Sequence, residues 1–191
     1  MELLLVNKHL WSIPNILTLM RVALIPVLVL LAYLPTFIWQ HWCIAAIFLL
    51  AAITDWFDGY LARALNQTSA FGRFLDPVAD KLMVAAALVL LVQATPRIEM
   101  VVPAIVIISR EITISALREW MAELGKRANV AVSHIGKWKT TAQMAAITIL
   151  LTQEAVLLPL GYILLYIAVI LTIWSMVIYV RAAWPELSRA D

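Results

Sequence analysis

The stretch Asp55-Trp-Phe-Asp58-Gly59-Tyr-Leu-Ala62-Arg63, followed by Gly72, Asp76 and Asp80, gathers four aspartates in a chain otherwise sparing of charge. At ~100° per helical residue, Asp55 and Asp58 lie about 60° apart and Asp76 and Asp80 about 40° apart, so each pair shares a helical face. Two such faces turned together make a four-carboxylate pocket. The carboxylates would repel one another, and the first pair directly follows the apolar run Cys43 to Thr54, where ionised groups are costly. One or two bound divalent cations resolve both problems. The candidate ligands Asp55, Asp58, Asp76 and Asp80 offer only oxygens, which selects hard ions such as Mg²⁺ or Mn²⁺.

Composition sets the class independently of that stretch. The chain has 191 residues, 64% hydrophobic and 14% charged, with mean hydropathy +0.93. A soluble domain carries about 25% charged residues, so an all-α integral membrane protein is expected. At ~20 residues per span the length suits one domain, 1–191, with about six transmembrane helices. The apolar runs place spans near 14–34, 38–62, 76–94, 97–121, 136–153 and 157–182. Turn-like breaks separate them at Pro35-Thr36, Asn66 to Ser69, Thr95-Pro96, Gly125 to Ser133 and Pro159 to Gly161. Gly161 is a weak point in the sixth.

Residues 1–13 mix leucines and Trp11 with Asn7, Lys8 and His9, the composition of a short interfacial helix or of an ordered tail. The apolar run after Arg21 ends in Leu31-Ala-Tyr-Leu34, without a small-residue cleavage pattern, and is therefore expected to stay as a first span. A single cysteine, Cys43, excludes an internal disulfide, and no internal repeat is evident. With the N-terminus inside, Lys8, Arg63, Arg73, Lys126, Arg127, Lys137, Arg181 and Arg189 fall in or beside cytoplasmic segments, whereas the outer loops hold only Arg97. Both termini and the aspartate stretch are thus expected on the cytoplasmic side.

The spacing D-x2-D-G-x2-A-R-x8-G-x3-D-x3-D is met at every fixed position by Asp55, Asp58, Gly59, Ala62, Arg63, Gly72, Asp76 and Asp80. It resembles the signature of the CDP-alcohol phosphatidyltransferase family, integral membrane enzymes that displace CMP from a CDP-linked substrate. The resemblance implies two metal ions on the four aspartates, Asp80 as general base, and a homodimer. Pro14-Asn15, Thr18 and Arg21, at three-residue spacing on the first span, are similar to the family's first-helix motif bordering the nucleotide and diphosphate. CDP-diacylglycerol is then expected to meet Asn15, Thr18, Arg21, Gly59, Ala62, Arg63 and Gly72. Most of these, and Asp76, also have a plainer reading. Asn15 and Thr18 suit capping, Arg63 suits snorkelling, Gly59 and Ala62 suit helix packing, and Asp76 before Pro77 suits an N-cap. Arg21, about two turns into an apolar span, needs an anionic partner on any reading.

Arg110, Arg118, Lys137 and Lys139 form a cationic set on the expected cytoplasmic side, suited to a phosphate-bearing acceptor. Lys81, beside Asp80, belongs with them or with the donor. The alternatives are a structural pairing of Arg110 with a glutamate and a topology role for the lysines. The blocks from Phe71 to Lys81, Ser109 to Ile112 and Gly136 to Gln143 resemble the bacterial branch of the family that uses sn-glycerol 3-phosphate. The resemblance therefore implies a phospholipid-biosynthetic enzyme of the inner membrane, making phosphatidylglycerophosphate and CMP, with the bilayer as surroundings and no nucleic-acid partner. Inositol phosphate, serine or another alcohol is the alternative acceptor. A cation transporter is the rival class, but it calls for ionisable groups along the far half of the bundle, where the sequence has almost none.

Overall fold

The computed structural model describes residues 13–64, 70–124 and 134–188. Within them lie six helices and no strand: α1 (Ile13–Tyr33), α2 (Gln40–Ala64), α3 (Ala70–Ala94), α4 (Ile98–Glu123), α5 (His134–Leu151) and α6 (Leu158–Leu187). The expected interfacial segment falls outside the described residues except for Ile13, which opens α1. Each helix covers one expected span. Three of them, over Asn15–Tyr33, Ile98–Glu123 and Leu158–Trp184, are long and apolar enough to cross a membrane. The others carry charge toward one end: the C-terminal end of α2, the N-terminal half of α3 and the first turns of α5.

The core is mainly apolar, but the surface departs from that of a water-soluble domain. Arg21, Asn15 and Thr18 are among the most buried side chains, while Ile38 is 88% exposed and Leu30, Ile170 and Trp174 are also exposed. Water would penalise such an apolar surface, and lipid does not. Together with the apolar helices, this makes the chain an all-α membrane protein.

The chain forms two compact units, the first Met1–Leu91 with Leu151–Gln153, the second Val92–Leu150 with Glu154–Asp191. In the first, α1 packs along α2. The buried Gln40 side chain closes their junction, its Nε2 donating to the carbonyls of Leu31 at 2.7 Å and Leu34 at 3.2 Å. These are carbonyls at the end of α1 that no further helical turn can satisfy.

In the second unit α4 packs along α6. Tyr166 donates to the Glu99 carbonyl at 3.2 Å, Arg110 to Ser175 at 2.9 Å and Arg118 to Tyr179 at 2.7 Å. Partners advance in the same direction along both helices, so α4 and α6 run parallel. Gly161 is no break in α6. A β-carbon there would stand 2.8 Å from Leu150 Cγ and Cδ2 and 3.2 Å from Ile149 Cγ2, so glycine lets α6 lie against α5.

One sequence expectation is corrected. The third helix begins at Ala70, six residues before the expected start, which places Pro77 inside it. Asp76 is therefore not an N-cap, and its carboxylate serves another purpose.

Candidate active site

That purpose involves α1. Thr18 Oγ1 donates to Asp76 Oδ1, and Arg21 NH1 donates to Asp55 Oδ1 at 2.5 Å. Asn15, Thr18 and Arg21 stand one turn apart in succession on α1, all buried. Two neighbouring turns of α1 thus hold one aspartate from α2 and one from α3, which draws the two halves of the motif to one helix face. Arg21 is only 1% exposed, and Asp55 is 41% exposed. A cation buried so deeply in an apolar helix needs its partner, while that partner still reaches solvent.

Asp80 sits one turn beyond Asp76 on α3, partly buried, and Gly72 is buried one turn before Asp76. Lys81 follows Asp80 in this same unit. Asp58, Gly59, Ala62 and Arg63 fall in the last turns of α2, and their side chains lie outside what the structure describes. Among the described residues no three His, Cys, Asp or Glu side chains gather closely enough to hold a metal, and Asp58 is not among those described. The donor set nevertheless suits a hard divalent ion. Asp55 and Asp76 each commit Oδ1 to α1, and a carboxylate has a second oxygen to offer.

The second unit holds a separate polar cluster. Glu111 Oε1 accepts from Lys139 Nζ at 2.6 Å and from Arg110 NH1 at 3.0 Å. The other terminal nitrogen of Arg110 donates to Ser175 Oγ. The Tyr179 ring lies 5.8 Å from the Arg110 guanidinium carbon and 4.9 Å from that of Arg118, an attraction between cation and ring face. Two cations thus share one carboxylate oxygen. Arg110 Nε is buried with no hydrogen-bond partner among the described residues. So is Gln143 Oε1, one turn beyond Lys139, and so is Thr172 Oγ1, one turn before Ser175. Buried polar atoms left in this way are costly.

The structure joins Arg110 and Lys139 through Glu111 and links Arg118 to Arg110 through Tyr179. The side chain of Lys137 lies outside what it describes. The pairing of Arg110 with a glutamate, held open on sequence grounds, is present and extends to Lys139. Ser175 and Tyr179 go unmarked in the sequence because each is a lone polar residue in a largely apolar span. Their signal was Thr172, Ser175 and Tyr179 at helical spacing on one face.

Comparison with known proteins bears on both sites. The profile of the CDP-alcohol phosphatidyltransferase family matches residues 11–174. A Pectobacterium atrosepticum protein is 57% identical over 178 residues, 93% of this chain and 97% of its own. Relatives from Sodalis glossinidius and Yersinia enterocolitica are each 56% identical over 177 residues, 92% of this chain and 97% of theirs. All three bear the name CDP-diacylglycerol--glycerol-3-phosphate 3-phosphatidyltransferase. The match runs through both aspartate pairs and the Arg110–Glu111–Lys139 cluster, and the chain belongs to the CDP-alcohol phosphatidyltransferase family.

Proposed function

We propose that this protein transfers the phosphatidyl group of CDP-diacylglycerol to sn-glycerol 3-phosphate, giving phosphatidylglycerophosphate and CMP. The observation that carries this reading is the hold of α1 on Asp55 and Asp76, members of the two signature pairs. The names of the relatives support the acceptor.

In this reaction the acceptor's hydroxyl oxygen bonds to the phosphatidyl phosphorus. The bond from that phosphorus to the bridging diphosphate oxygen breaks, and CMP leaves with that oxygen. Asp80 takes the hydroxyl proton. Asp55, Asp58, Asp76 and Asp80 would hold two divalent cations, Mg²⁺ or Mn²⁺, which when bound neutralise the charge of the diphosphate. Thr18 and Arg21 fix the orientation of Asp76 and Asp55. With Asn15, Arg63 and Gly72 they border the nucleotide diphosphate, and Gly59 and Ala62 leave room for its approach. Arg110, Arg118, Lys137, Lys139 and Lys81 are assigned to the acceptor's phosphate, where charge-assisted hydrogen bonds favour a dianion over a neutral alcohol. The orphaned Arg110 Nε supports that assignment.

The distribution of basic residues supports a bacterial inner-membrane location with termini and active site in the cytoplasm, and the family resemblance supports a homodimer. The test is an acceptor panel with purified protein, CDP-diacylglycerol and Mg²⁺, with CMP release as readout. Release should depend on sn-glycerol 3-phosphate. Equal or faster release with inositol phosphate or serine would overturn the acceptor assignment.

A further inference from the structure

We infer that Glu111 and Ser175 are positioning residues that set Arg110 and Lys139 for the acceptor's phosphate, an inference that rests on the acceptor reading above. The two cations meet on a single atom, Glu111 Oε1, with Lys139 Nζ at 2.6 Å and Arg110 NH1 at 3.0 Å. They come from different helices, α5 and α4, so one carboxylate sets the spacing between their charges. Ser175 on α6 holds the opposite end of the Arg110 fork at 2.9 Å, and Ser175 Oγ itself donates to the Thr172 carbonyl at 2.9 Å. The guanidinium is thereby fixed at both terminal nitrogens.

Burial and charge argue that this cluster is more than a helix clamp. The Arg110 and Lys139 side chains are 9% and 8% exposed, and Glu111 is 22% exposed. Arg110 Nε is buried with no hydrogen-bond partner among the described residues, a cost that stands until an acceptor oxygen arrives. A clamp alone would not leave a buried guanidinium donor without a partner. Without Glu111 the two cations would repel and separate, and a bidentate approach to one phosphate would lose its geometry. The carboxylate thus lowers the total positive charge and improves its placement, and these two effects act oppositely on anion binding. If placement dominates, neutralising Glu111 weakens acceptor binding although the site becomes more positive.

The experiment measures KM for each substrate in wild type, Glu111→Gln, Glu111→Asp and Ser175→Ala. Glu111→Gln should raise KM for sn-glycerol 3-phosphate about tenfold, leave KM for CDP-diacylglycerol within about twofold, and be partly rescued by Glu111→Asp. Ser175→Ala removes one small hydroxyl and should raise the same KM about threefold, which keeps the inference testable if Glu111→Gln does not fold. An unchanged or lowered acceptor KM in folded Glu111→Gln, or in Ser175→Ala, would overturn it. So would equal effects on both substrates accompanied by a lowered melting temperature, the outcome of a purely structural clamp. Wild type run alongside separates the two claims. If it shows no preference for sn-glycerol 3-phosphate, the acceptor reading fails. If the preference is present and the variants match wild type, only the positioning role fails.

Discussion

Asp55 and Asp76 each give one oxygen to a donor on α1, so in the proposed cation site their orientation depends on Thr18 and Arg21 as much as on their own positions. That makes metal binding testable residue by residue. Chelation should abolish turnover. Asp55→Asn, Asp58→Asn and Asp76→Asn should each lose activity by at least about a hundredfold, beyond the ~10–100-fold typical of groups that only support a ligand. Removal of Asp80 should be at least as damaging, because it takes away a base as well as a ligand. Added Mg²⁺ should raise the melting temperature of wild type and do so less in each variant, a readout independent of turnover. Full activity in excess chelator would refute the two-metal site. The four aspartates stand out by spacing, and the need of Arg21 for an anionic partner by its place in an apolar span, whereas Asn15 and Thr18 were assigned to the site only by resemblance to the family. Which donor meets which carboxylate was not legible, because Thr18 and Asp76 come together only through packing across 58 residues of chain.

Among the helices, existence and order were legible because unbroken apolar runs have few alternatives, whereas the start of α3 and the role of Gly161 depended on tertiary context. The Asp76-Pro77 pair looks like a helix start in sequence, yet α3 starts at Ala70 and carries the proline internally. Gly161 looks like a helix breaker, yet its missing side chain is what the contact with α5 requires. Gly161→Ala tests the second point. Leu150 is buried and its Cγ, not only a terminal methyl, would stand 2.8 Å from the new carbon, so simple rotation cannot relieve the clash. The expected cost is about 1–3 kcal/mol, seen as a lowered unfolding midpoint in detergent. A midpoint equal to or above that of wild type would show that α5 and α6 pack more loosely than the structure has them. Ser175 and Tyr179 belong to the same lesson. Each is an ordinary polar residue on an apolar helix until α4 brings Arg110 and Arg118 beside it.

At the scale of the whole molecule the proposed orientation in the bilayer rests on the distribution of charge. Lys8, Arg63, Arg73, Lys126, Arg127, Lys137, Arg181 and Arg189 fall in or beside the segments assigned to the cytoplasm, against Arg97 alone outside. Basic residues near span ends are retained on the cytoplasmic side during insertion, and the proposed orientation rests on this imbalance. The single cysteine gives a clean background for testing it, since Cys43→Ala leaves no thiol. In that background, cysteine introduced at Arg97 should react in intact cells, after passage of the outer envelope, with a maleimide that cannot cross the inner membrane. Cysteine at Ser188 should react only once the inner membrane is opened. Both positions are exposed, so failure to react reports the side of the membrane rather than burial. The reverse pattern would invert the topology and place the aspartates away from the cytoplasm, where CDP-diacylglycerol headgroups and sn-glycerol 3-phosphate must meet them for the proposed reaction to run.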